Sequence, residues 1–95
     1  MTLQIVTYTY LNAPEALAEV RPEHRAFLGG LAGQGVVVAS GPWVDEEPAG
    51  ALLLLRTDSA SAALEVLADD PFQREGLVLD VSVREWNPVI GVLAN

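Results

Sequence analysis

Gly50-Ala51-Leu52-Leu53-Leu54-Leu55-Arg56-Thr57 reads as a β-strand whose apolar run does not alternate. Successive side chains of a strand point to opposite faces. Consecutive leucines therefore put apolar surface on both sides of the sheet. A sheet with one wet face shows polar residues at every second position, whereas a continuous run belongs to a sheet covered on both faces. What covers each face follows from the elements on either side.

Leu3 to Tyr10 alternates around Thr7 and Thr9 and is rich in β-branched and aromatic residues, which predicts a first strand. Leu11 to Glu19 reads either as a loop or as a short helical turn. Pro22 suits the first turn of a helix, where its missing N–H costs nothing. That helix is expected to run to about Ala32, with Gly33 or Gly35 as the left-handed residue that ends it. Val36 to Ser40 is a second strand, broken by Gly41-Pro42-Trp43 and followed by the acidic turn Asp45-Glu46-Glu47-Pro48. After the leucine strand, Asp58 or Ser59 caps a helix over Ala60 to Ala68, with Ala63, Leu64 and Leu67 on one face. Asp69-Asp70-Pro71 stops it and Phe72 to Glu75 adds one more turn. Val78 to Trp86 is the last strand, setting Leu79, Val81 and Val83 against Asp80, Ser82 and Arg84. The tail from Asn87 to Asn95 is apolar.

The order is β-α-β-β-α-β, the ferredoxin-like arrangement of an α+β fold. Right-handed crossovers place both helices on one face of a four-stranded antiparallel sheet. The leucine strand then needs a cover on the other face. The simplest is a second copy packed sheet to sheet, so a homodimer is expected, with the tail on the partner or along the sheet edge. Hiding leucine side chains this way contributes several kcal/mol at about 25 cal/mol per Å².

Composition limits what the chain does. Its 95 residues make a single domain, 1–95, with one modest core. Thirteen acidic against five basic residues give a net charge of −8, which repels phosphate backbones and argues against nucleic-acid binding. With no cysteine, thiol nucleophiles, Fe–S clusters and disulfides are excluded, and a cytoplasmic setting is expected. The N-terminus lacks the basic region and long apolar core of a signal peptide. The longest apolar run, Ala51 to Leu55, falls far short of the ~20 residues of a membrane span. One histidine and scattered carboxylates match no common metal site, and no glycine-rich phosphate loop follows a strand. Neither a metal nor a cofactor is expected.

Chemistry converges on His24, the single histidine. Phe27, Leu28 and Leu31 share its helical face, so an ionisable ring sits on an apolar stripe. A buried imidazole needs partners for its nitrogens. Asp70 is the candidate. Its carboxylate would fix the tautomer and leave the other nitrogen for a substrate, which suits a general base. A structural histidine and an ordinary turn aspartate are the plainer alternative. The Ser40 hydroxyl, before Gly41-Pro42, is positioned to donate to a bound anion or carbonyl. Arg21, at the expected helix start, is poorly placed for the dipole and should pair with Asp69, Asp70 or a ligand. Trp43, Phe72 and Trp86 are candidates to line a pocket.

Taken in order, Arg21-Pro22-Glu23-His24, Gly35, Ser40-Gly41-Pro42, Asp70-Pro71-Phe72, Gly76-Leu77 and Val83-Arg84-Glu85-Trp86 resemble the YciI (YCII-related) proteins. The likeness runs from about Tyr8 to Trp86, with no departure at these positions. It implies the dimeric α+β barrel form of the ferredoxin-like fold and an active site built on a histidine–aspartate pair, here His24 and Asp70, with Ser40 near it. Most members have no assigned reaction. One relative eliminates chloride from a chlorinated hydroxyquinol, and the wider superfamily includes lactone isomerases and monooxygenases that act without metals.

Two functions are consistent with these residues. One is a cofactor-free enzyme in which His24, oriented by Asp70, takes a proton from a small cyclic or aromatic substrate while Ser40 or Arg21 holds the developing oxyanion. The other is a non-catalytic dimeric module that binds a small ligand or serves another enzyme.

Overall fold

The computed structural model describes residues 1–45 and 47–94. Glu46 of the acidic turn and Asn95 of the tail lie outside them. In chain order the elements are β1 (Thr2–Tyr10), α1 (Pro14–Gly33), β2 (Val37–Pro42), β3 (Gly50–Thr57), α2 (Ala60–Leu67), α3 (Pro71–Arg74) and β4 (Val78–Trp86). The four strands form one sheet in the order β2-β3-β1-β4, with every neighbouring pair antiparallel. This is the ferredoxin-like α+β arrangement expected from the alternation of elements.

Register explains the leucine run. Val6 of β1 pairs with Leu53 and Val83, and Tyr8 pairs with Ala51 and Val81. Those residues join Leu55 in a core completed by Leu28 of α1 and by Ala63 and Leu67 of α2. Leu53 and Leu55 are fully buried there, each contributing about 1.5–3 kcal/mol relative to exposure. By alternation Leu52 and Leu54 point to the other face, beside Ile5 and Thr7. The leucines do serve two faces, and the helices cover only one.

Helix α1 begins eight residues earlier than expected. Pro14, not Pro22, occupies its first turn, and Pro22 lies inside the helix. A proline there removes one hydrogen bond, at a typical cost of about 3 kcal/mol. The bond lost would have run to Ala18, and Ala18 and Pro22 are both exposed, so water can reach the orphaned carbonyl. Against that cost, Leu17 is buried in a cluster with Phe72 and Leu77. Leu17, His24 and Leu28 form the buried stripe of α1. At its end Val36 N–H donates to Leu31 C=O (2.9 Å) and Gly35 N–H to Ala32 C=O (3.0 Å). These are the paired bonds of a Schellman cap. Gly35, with φ +80°, supplies the left-handed residue.

One further boundary moves and one register shifts, each for a physical reason. Strand β2 continues through Gly41 and Pro42, which pair with Leu52 and Ala51. It is an edge strand, where a proline without N–H is tolerated. In β4 the register shifts opposite Thr9 and Tyr10: Asp80 pairs with Thr9 and Val78 with Tyr10, leaving Leu79 as the extra residue. Leu79 is exposed, and Val78 joins Val81 and Val83 against the core instead. Of the tail, Pro88 is buried while Val89, Ile90 and Val92 are exposed. Among the described residues no helix is long and apolar enough to cross a membrane.

Candidate functional site

The site begins with a helix cap. Pro71 presets the first turn of α3, and Asp70 before it accepts the Phe72 N–H on Oδ1 at 3.0 Å. The short helix that follows holds the carboxylate beneath α1 and against β1. Asp70 is completely buried. A buried carboxylate needs donors for its lone pairs, and three elements supply them. Beside the α3 cap, Tyr8 of β1 donates its O–H to Oδ2 at 2.8 Å. From α1, His24 brings Nδ1 to 2.8 Å from Oδ1 and 3.0 Å from Oδ2. The Gln73 amide in turn donates to the Tyr8 oxygen at 3.2 Å.

The acceptor-only carboxylate requires the proton on Nδ1, which leaves Nε2 without a protein partner among the described residues. The His24 side chain is 9% exposed. Its face stacks on Phe72, with ring centroids 4.1 Å apart and an interplanar angle of 18°. Tyr10 meets the same Phe72 edge-on at 5.2 Å. Ring orientation is therefore fixed both by the carboxylate and by aromatic packing.

A cavity of about 420 Å³ opens beside this pair, lined by His24, Arg21, Arg25, Ser40, Tyr10 and Phe72 among others. Leu28, Val37 and Ala51 supply apolar wall. Its volume suits a small-molecule ligand. Burial pushes the Tyr8 hydroxyl well above the usual phenol range; the hydrogen bond from Gln73 opposes this and the Asp70 charge adds to it. Tyr10 is pushed up to about 12, first by burial and then by Asp70, with Arg21 and Arg25 pulling the other way. Both tyrosines stay protonated donors across the neutral range.

The four residues singled out from sequence fall together: His24 and Asp70 in direct contact, Ser40 and Arg21 on the cavity wall. Arg21 is placed differently from expectation. It stands in the middle of α1, and neither aspartate pairs with it: Asp69 binds Arg74 at 2.8 Å and Asp70 binds His24. Phe72 lines the cavity, whereas Trp43 lies beside Gly50 and Trp86 pairs with Leu3 in the outer part of the sheet. Sequence reading missed Tyr8, Tyr10, Gln73 and Arg25. A signal existed for the tyrosines, which alternate with Val6 on the helix-facing side of β1. Arg25 was legible as the residue one turn beyond Arg21.

The sequence model of the YCII-related domain family matches residues 1–87. A search of curated proteins gives no match. Among solved structures, the chain is similar to the 5-chloro-2-hydroxyhydroquinone dehydrochlorinase of Burkholderia phenoliruptrix AC1100, solved in complex with 2,5-dihydroxybenzoquinone. The TM-score is 0.75 at 19% identity, over 90% of this chain and 93% of that one. A crystal structure of an antibiotic biosynthesis monooxygenase is similar with a TM-score of 0.59 at 20% identity, over 95% and 100% of the two chains. At these identities the likeness concerns the fold, the α+β form shared by these proteins. The match over residues 1–87 carries more, and by it the chain belongs to the YCII-related domain family.

Proposed function

We propose that this protein is a cofactor-free small-molecule enzyme, of the lyase (dehydrochlorinase-like) or isomerase type, with His24 as general base and Asp70 as the group that orients it. One observation carries the reading: Nδ1 is held by a buried carboxylate, Nε2 has no protein partner among the described residues, and His24 lines a cavity. In the elimination form, Nε2 accepts a proton from an O–H or acidic C–H of a hydroxylated ring. The released electron pair becomes the new π bond, and the leaving group departs with its own pair. The net change is loss of HX, with no oxidant or reductant required. In an isomerisation the imidazolium returns the proton at another carbon. Asp70 stabilises the imidazolium formed in either case. Ser40 and Arg21, on the wall of the same cavity, hold the developing oxyanion. The dehydrochlorinase with the same fold makes a hydroxylated, halogenated ring the first substrate to try. The enzyme acts as a homodimer in the cytoplasm, a second copy covering the sheet face that carries Leu52 and Leu54.

The test is chloride release from 5-chloro-2-hydroxyhydroquinone and from chlorinated, ring-hydroxylated benzoates by wild type and His24→Ala. The substitution should lower turnover by about 10²–10⁴ with the fold intact. Wild-type turnover in the variant would refute the base. A second reading has support in the same contacts, because Asp70 joins β1, α1 and α3 and so has a structural use. Under that reading the protein is a non-catalytic ligand-binding or accessory module. His24→Ala would then lower the melting temperature, and ligands would raise that of the wild type without being converted.

A further inference from the structure

Arg21 and Arg25 both line the cavity beside His24. The chain has only five basic residues against thirteen acidic ones, so two of the five converge on one wall. Neither has an ion-pair partner: among the described residues the ion pairs are His24–Asp70 and Arg74–Asp69. Local sequence offers none either. The residues three and four positions from Arg21 are Leu17, Ala18, His24 and Arg25, and those from Arg25 are Arg21, Pro22, Leu28 and Gly29. Each arginine is thus the other's neighbour one turn away, a like-charge pair that weakens a helix. A glutamate on the same face would relieve it, and α1 places its glutamates at 15, 19 and 23 instead.

Such a cost is offset when an anion occupies the space between the guanidiniums. In a protein of net charge −8 the long-range field repels anionic ligands. An anion therefore needs a local cationic wall to be held at all. Guanidinium presents a planar fork of N–H donors that fits a carboxylate on two bonds. Tyr10, whose phenol senses the positive charge of both arginines, adds a neutral O–H donor on the same wall. Apart from His24 and Ser40, the remaining wall, including Leu28, Val37, Ala51 and Phe72, is apolar and suits a hydrocarbon ring.

We infer that Arg21 and Arg25 form a two-point carboxylate anchor, so that the ligand of this cavity is a small cyclic or aromatic carboxylate presented to His24 Nε2. This deepens the proposed function by naming a substrate class. It rests on that reading for the role of Nε2, whereas the anchor itself is read by binding alone. On a carboxylate ligand the oxyanion role passes to Ser40, Arg21 joins Arg25 on the carboxylate, and Arg25 becomes a specificity-determining residue of that wall.

The experiment titrates the full-length protein by calorimetry with benzoate, salicylate and 2,5-dihydroxybenzoate, each against its amide, and with inorganic phosphate. Carboxylates should bind at least tenfold more tightly than the matching amides, with affinity falling as salt rises. Arg25→Gln and Arg21→Gln should each weaken carboxylate binding tenfold or more and leave amide binding unchanged. Arg74→Gln, which removes a guanidinium paired with Asp69 at an exposed position away from the cavity wall, should change neither. His24→Gln should retain the carboxylate preference even where turnover is lost, so failure of the anchor and failure of the base are read separately. Equal binding of acids and amides across the panel overturns the anchor. So does full carboxylate affinity in Arg25→Gln, or tighter binding of phosphate than of every carboxylate.

Discussion

At the scale of single residues, the decisive contact is one buried carboxylate shared by three donors. Tyr8→Phe removes the donor to Asp70 Oδ2 without changing ring shape. It should cost about 1–3 kcal/mol in denaturant unfolding, because a buried acceptor is left short of a partner. A loss below about 0.3 kcal/mol would mean that the hydroxyl does not serve the carboxylate. Tyr10 predicts a pH effect with a definite sign. Unfolded tyrosine ionises near ~10, whereas Tyr10 in the fold is pushed up to about 12 by burial and Asp70. Between those values the unfolded state has lost a proton that the native state keeps. Stability contributed by the neutral phenol is therefore complete below ~10 and declines as pH rises toward 12. Melting temperatures across that window should fall less steeply for Tyr10→Phe than for wild type, and equal slopes would contradict the assignment. His24 and Asp70 were legible in sequence because an ionisable ring on an apolar stripe demands a partner and only the Asp-Pro turn offered one. The Tyr8 and Gln73 contacts were not, since they depend on how β1 and α3 meet across sixty-five residues.

Among elements, β1 and β3 are held by a contact that admits only glycine. A Cβ at Gly50 would stand 2.1 Å from the Tyr8 carbonyl oxygen and 3.2 Å from the Trp43 indole. Gly50→Ala must push the strands apart exactly where Tyr8 is aimed at Asp70. It should lose at least about 1–3 kcal/mol and weaken ligand binding with it. Gly30→Ala should do the opposite. It lies within α1 with nothing in reach of the new methyl, so stability should rise by about 0.5–1 kcal/mol. Thermal unfolding of the two variants checks both signs; a stable Gly50→Ala would show that the close approach is not required. The strand–helix alternation was readable because periods of two and of three to four residues are written in the side chains. The start of α1 was not. Pro22 carries a strong local signal for a helix start, and it was overridden by burial of Leu17 against Phe72 and Leu77, a tertiary gain invisible to local pattern. The bulge that turns Leu79 outward is likewise a matter of register between β1 and β4.

For the whole molecule, the sheet has helices on one side and Ile5, Leu52 and Leu54 on the other. Leu54 is only 5% exposed, while Ile5 and Leu52 are half-buried. If a second copy covers this face, sedimentation should give twice the chain mass, and Leu52→Asp should give the monomer. A wild-type monomer at tens of micromolar would remove the dimer from the account. The order of strands and helices along the chain made the four-stranded α+β architecture legible. The cavity was not, because its wall draws on α1, β2, β3 and α3 at once and its shape depends on their final packing. The central claim joins these scales: a fold that buries Asp70 so that His24 offers a free Nε2 to a cavity. The most direct test is the tautomer of His24, read from its two ring ¹⁵N shifts in the pH range where the ring is neutral. The account predicts a protonated Nδ1 and a bare Nε2 whose shift moves when a ligand fills the cavity. A proton on Nε2, with Nδ1 bare against Asp70, would contradict it.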